Sequence, residues 1–143
     1  MSLKILELHH HAVRVQAGDA SLDAAVRFYR DVLGLEMDAT RPAIDLKGAW
    51  MNVGDGAQIH LMAIEGPSSA CFGPGKDPSN PHVALAVADI QKARAQLDQQ
   101  GIAYFVLNVM PGADAEQLFL IDPAGNTVEL HQLGSCRCAR SRT

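Results

Sequence analysis

Four ionisable residues of this chain fall at matching places in two stretches that read as one piece written twice. Aligning LHHHAVRV with NPHVALAV sets His10 against His82, and aligning AQIHLMAI with NTVELHQL sets His60 against Glu129. Three imidazoles and one carboxylate form a ligand set for a borderline divalent cation, whose ordinary protein donors are neutral imidazole nitrogen and carboxylate oxygen. Four protein ligands that close a tetrahedron make a structural site. A six-coordinate ion (nickel, cobalt, iron, manganese or expanded-coordination zinc) instead keeps two adjacent positions, which two neighbouring substrate oxygens can fill. One carboxylate against a dication leaves a net charge near plus one, which stabilises negative charge as it grows on a substrate.

The neighbours of these four residues are weighed by strand alternation. His9 and His11 flank His10 and are expected on the opposite face, where they read as structural. His131 shares the parity of Glu129 but lies further along the strand, which leaves its role open. Arg14 shares the parity of His10: it offers a bidentate fork to a substrate carboxylate, or equally a salt bridge at the sheet rim. Trp50 and Phe119 are candidate pocket walls, although a place in the core explains both as readily, and Gln117 is a polar candidate beside them.

Positioning these side chains requires two similar units. Residues 8–15 read as a strand. From Ser21, a candidate cap, Leu22, Val26, Tyr29 and Leu33 recur at helical spacing until Gly34, which predicts a helix over 21–33. Residues 35–47, 49–53 and 57–64 are extended candidates broken by Gly48 and by Gly54-Asp55-Gly56. The stretch 65–80, rich in Gly, Pro and Ser and without periodicity, reads as a linker. The order then repeats: a strand at 82–87, a helix capped by Asp89 and stopped by Gly101, and strands at 103–109, 117–121 and 127–132, with turns at 111–116 and 122–126. The expected architecture is α+β, two paired βαβββ modules whose sheets make a cup-shaped incomplete barrel. Module one covers 4–64, the linker 65–80 and module two 81–134 of a single domain, with 135–143 a disordered tail. Alanines 84 and 86, on the face of His82, leave room for an ion and a ligand.

With 143 residues, 48% of them hydrophobic, the chain has the size of one domain with its own core. A formal net charge of −4 disfavours nucleic-acid and anionic-membrane partners, and no apolar run approaches the roughly 18–20 residues that span a bilayer. Cys71, Cys136 and Cys138 do not make a core disulfide framework, so a reducing, cytoplasmic location is expected.

HHAVRV followed by AAVRFYRDVLGLEM, with LFLIDPAGNTVEL near the end, is similar to the vicinal oxygen chelate superfamily, which includes glyoxalase I, methylmalonyl-CoA epimerase, fosfomycin resistance enzymes and extradiol dioxygenases. GAWMNVGDGAQIHLM also resembles a glyoxalase-like branch. The resemblance spans nearly the whole chain and implies ligands at His10, His60, His82 and Glu129. Glyoxalase I commonly has Glu where His60 stands, and the epimerases Gln, so only Glu129, or secondarily His60, remains to move a proton. The expected function is therefore a metal-dependent lyase or isomerase of glyoxalase type, chelating a small vicinal-dioxygen substrate with one divalent ion and transferring a proton next to a carbonyl. The alternatives are an iron-dependent extradiol dioxygenase, with His10, His82 and Glu129 as ligands, and a non-catalytic small-molecule binding or resistance protein. Superfamily relatives often pair, so a homodimer is expected.

Overall fold

The computed structural model describes residues 2–107 and 116–134. Most of the turn expected at 111–116 and the whole tail with Cys136 and Cys138 lie outside the described residues. The elements run β1 (Glu7–Val15), α1 (Asp19–Arg27), a π-helical turn (Phe28–Val32), β2 (Glu36–Met37), β3 (Gly48–Val53) and β4 (Ala57–Ala63). They continue with β5 (His82–Val87), α2 (Ile90–Gln100), β6 (Phe105–Leu107), β7 (Gln117–Ile121) and β8 (Thr127–Gln132). Both halves are βαβββ, and all eight strands join one unclosed mixed sheet in the order β2-β3-β4-β1-β5-β8-β7-β6. The fold is the expected α+β cup. Its two halves are related across the seam where β1 runs antiparallel to β5, and each first strand pairs parallel with the last strand of its own half.

Each helix covers one half of the sheet with its apolar stripe. Ile90, Ala93 and Leu97 of α2 pack with Val87, Leu118 and Leu130, and Leu22, Ala25, Val26 and Tyr29 pack against Ala49, Met51 and Leu61. The second helix starts as its sequence predicts: the Asp89 carboxylate accepts from the backbone N–H groups of Gln91 and Lys92, and Gly101 ends it at φ 67°. The first helix departs from expectation. It begins two residues before Ser21, after Gly18, with no side-chain cap, and its last turn widens into the π segment before Gly34 stops it. Of the strand expected over 35–47 only two residues pair. Asp38 turns the chain away from the sheet, its carboxylate accepting from the Thr40 N–H and hydroxyl. Gly48 is obligatory for a different reason: a Cβ there would lie 2.1 Å from the Leu61 carbonyl oxygen.

The linker is an ordered wall. Arg14 donates to the carbonyls of Ser79 and Gly66 and to the Ser79 hydroxyl, and lies 3.7 Å from Asp77. Asp77 in turn accepts from the N–H and hydroxyl of both Ser68 and Ser79. Burial pushes its carboxyl up, but these donors outweigh burial and hold it down at about 2. A depressed folded-state value stabilises the protein above the unfolded carboxyl range near ~3.9, and this is lost as pH falls through about 2. We expect Asp77→Asn to lower stability by about 1–3 kcal/mol at neutral pH, through lost charge-assisted hydrogen bonds. The gap from wild type should close below pH ~4 when denaturant midpoints are followed against pH.

Candidate metal centre

Three adjacent strands deliver three donor atoms to one place. In the sheet register Ala84 of β5 stands opposite both His10 of β1 and Glu129 of β8, and its small side chain leaves the space between them open. His82, two residues earlier on the same face, completes the group. His10 Nε2 lies 3.3 Å from His82 Nε2 and 3.2 Å from Glu129 Oε2, and His82 Nε2 lies 3.0 Å from that same oxygen. All three residues are buried within one chain. Ligands on adjacent positions of an octahedral ion, bound at roughly 2.1 Å, stand about 3 Å apart. The trio therefore fits a divalent cation on donor type and spacing alike.

Each of the three side chains is held from behind. His82 Nδ1 donates to the Asn80 carbonyl at 2.6 Å, which turns Nε2 toward Glu129. His10 Nδ1 pairs with His9 Nδ1 at 2.8 Å. Glu129 Oε1 accepts from Gln117 Nε2 at 2.8 Å and lies 2.9 Å from His131 Nε2, so only Oε2 faces the two imidazoles. Burial disfavours the charged form of Glu129, yet His131 and His10 outweigh it and hold the carboxyl well below its ordinary range. Burial pushes His10 down to about 4 against the pull of Glu129, which keeps its nitrogen lone pair available. Burial also opposes charge on His82, but its hydrogen bond to Glu129 prevails and raises it.

His60 sits beside this trio, outside its donor cluster. Its ring stacks on His10 at 3.8 Å and on Trp50 at 4.5 Å, and its Nε2 lies 3.0 Å from Gln58 Oε1. The Gln58 amide nitrogen donates to Asp38 Oδ2 and Asn52 Oδ1, both at 2.9 Å, so its oxygen must face His60 and accept. The His60 proton is thereby fixed on Nε2. Among the described residues Nδ1 has no hydrogen-bond partner.

Of the other candidates, Trp50, Gln117 and Phe119 line a cavity of about 570 Å³ that also contains His10, His60, His82 and Glu129. Arg14 is outside that lining and spends its donors on the linker. The expectation for His9 requires correction. Between Leu8 and His10 the register with β5 slips by one residue, a β-bulge, so alternation fails there. His9 is fully buried, in contact with His10 and stacked on His131 at 4.5 Å and 2°. Three consecutive histidines at a strand start were the available signal. His131, left open from sequence, belongs with Glu129.

This fold and site define a family. The family model "Glyoxalase/Bleomycin resistance protein/Dioxygenase superfamily" matches residues 8–130, and the chain belongs to it. A curated relative, "Glyoxylase I 4" of Arabidopsis thaliana, is 27% identical over 137 residues, covering 95% of this chain and 73% of its own length. Among solved structures, methylmalonyl-CoA epimerase from Mycobacterium tuberculosis is similar with TM-score 0.66 and 24% identity, over 92% of this chain and 91% of that one. A variant of the Streptomyces coelicolor methylmalonyl-CoA epimerase in complex with 2-nitronate-propionyl-CoA gives TM-score 0.57 and 21% identity, over 90% and 98%. At these identities the two structures show a shared fold. Among the described residues no helix is long and apolar enough to cross a membrane.

The His9 contact leads to a test on the isolated protein. His9→Phe preserves a ring stacked on His131 and removes the nitrogen that orients His10. We expect zinc affinity, measured by competition with a chromogenic chelator, to fall about tenfold or more while the circular dichroism spectrum is unchanged.

Proposed function

We propose that this protein is a metal-dependent enzyme that chelates a vicinal-dioxygen substrate and moves a proton next to its carbonyl, as a lyase or isomerase. The observation that carries this reading is the convergence of His10 Nε2, His82 Nε2 and Glu129 Oε2 within 3.0–3.3 Å beside a large cavity. The relative named for glyoxalase I, and fold neighbours named as epimerases of a CoA ester, support the reaction type.

The roles follow from how each side chain is committed. His10, His82 and Glu129 would hold the ion, which when bound would supply Lewis acidity toward substrate oxygens. Glu129 is a poor proton acceptor: one oxygen faces the imidazole pair and the other already takes two donors. His60 is the better one. Burial keeps it neutral, Gln58 fixes the proton on Nε2, and Nδ1 stays available on a residue that lines the cavity. Asp38 and Asn52 act through Gln58 as positioning residues. Trp50 and Phe119 exclude water, and Gln117 orients the carboxylate. Pairing into a homodimer belongs to this reading; Phe28, Val32 and Leu33 expose apolar side chains that a second copy would cover.

A second reading has its own observation. With His60 turned toward Gln58, the trio is two imidazoles and one carboxylate, the set used by non-haem iron oxygenases. Oxygen consumption with catechols by the iron-loaded protein would favour it, and none is expected.

Two groups of variants separate metal binding from proton transfer. His82→Ala and Glu129→Gln should lose bound metal in elemental analysis of protein purified without chelator. His60→Gln should retain it, while turnover on a panel of 2-oxoaldehyde hemithioacetals and 2-substituted acyl thioesters drops by about 10²–10⁴. Full metal content in Glu129→Gln, or full turnover in His60→Gln, would refute the assigned roles.

A further inference from the structure

The cavity beside the metal centre, about 570 Å³, falls within the roughly 300–1,000 Å³ typical of pockets that bury a drug-sized ligand. Its wall is mixed. Trp50, Leu61, Met62, Leu107 and Phe119 are apolar, while Arg41 and Asp45 enter from the 38–47 loop and Ser68, Ser69 and Ser79 from the linker. The three hydroxyls are already committed within the protein: those of Ser68 and Ser79 donate to Asp77, and that of Ser69 donates to Asp45 at 3.2 Å. Among the described lining residues Arg41 is the only arginine or lysine. It brings a permanent positive charge to the cavity that also contains the metal-centre residues.

Arg41 is held in position. Its Nη2 donates to the Leu46 carbonyl at 2.6 Å, and its guanidinium carbon lies 5.6 Å from the centre of the Trp50 ring. Trp50 is stacked on His60 at 4.5 Å and 12°, and His60 on His10 at 3.8 Å and 15°. Added together, the Arg41–Trp50 and Trp50–His60 separations put the guanidinium within about 10 Å of the His60 ring. Asp45, the carboxylate that the same loop brings to the cavity, is exposed, where water and salt screen its charge, whereas Arg41 is half-buried. A half-buried guanidinium already fixed in place therefore attracts an anion more than the exposed carboxylate repels it.

We infer that Arg41 is a specificity residue: the ligand of this site carries, at the far end from its chelating oxygens, a carboxylate that the guanidinium binds. This rests on the metal-chelating reading above and deepens it by adding a charge to the substrate class. Guanidinium and carboxylate match as two parallel N–H···O bonds. A dianionic phosphate is less suited, since Asp45 lines the same cavity and repels a double charge more strongly. Uncharged compounds of the same length gain no ion pair from Arg41, and cationic ones are repelled by it.

Three straight-chain hydroxamates of one length test this. Each chelates through two neighbouring oxygens at one end, and the other end is a carboxylate, a primary amide or an ammonium group; an eight-carbon chain, advancing about 1.2 Å per bond, spans about 8 Å. With the zinc-loaded protein, calorimetry should show the carboxylate binding about tenfold more tightly than the amide, and the ammonium compound binding most weakly. The preference for carboxylate over amide should be lost in Arg41→Gln, largely kept in Arg41→Lys, and reduced in the wild-type protein as salt is raised. Equal affinity of carboxylate and amide, tightest binding of the ammonium compound, or a preference unchanged in Arg41→Gln overturns the inference while leaving chelation intact. Absence of zinc-dependent binding by all three overturns the chelating site itself, and the inference with it.

Discussion

A carboxylate 1% exposed to solvent, Glu129, is the constraint around which this molecule is arranged. Burying such a charge alone would cost several kcal/mol or more, so its surroundings must compensate, and they do so asymmetrically. One oxygen is met by Gln117 and His131, the other by His10 and His82. The first pair fixes the side chain in place. The second makes a candidate cation position, because two imidazoles and a carboxylate oxygen point at the same few cubic ångströms.

The sheet makes this possible through a duplicated topology. Joining two βαβββ units along their first strands brings β4, β1, β5 and β8 side by side, and these carry His60, His10, His82 and Glu129 in that order. The symmetry is broken at two points. The bulge in β1 turns His9 inward behind His10, with no counterpart in β5, where Pro81 precedes His82. Gln58 draws the His60 nitrogen away from the trio, whereas Glu129, at the matching position of the second half, enters it. One half places two donors in the trio, and the other places one donor there and a separate imidazole beside it. Under the proposed roles, metal binding and proton transfer are thus divided between matching positions of the two halves.

The stretch between the halves contributes more than a connection. Asn80 orients His82 through its carbonyl, and Ser68, Phe72 and Ser79 form part of the cavity wall. Because Arg14 of β1 clasps this segment through Ser79, Gly66 and Asp77, wall and metal centre are braced by the same strand. Displacing the segment would disturb the His82 imidazole as well as the walls around a ligand.

The sequence alone determined the repeat, the α+β class, the helix bounded by Asp89 and Gly101, and the four residues that the central strands carry. Those properties are written locally, in side-chain period, caps and the matching of two segments. What only the tertiary structure decided was the arrangement of the histidines about Glu129. Strand alternation assigned His9 to the far face, and a one-residue slip against β5 reversed that, because register is a property of two strands together. The four residues looked interchangeable as ligands until the Asp38–Gln58 and Asn52–Gln58 hydrogen bonds set the His60 tautomer, joining groups from the 38–47 loop, β3 and β4. Residue type announces which donors exist; the hydrogen bonds between distant segments determine which way each one faces.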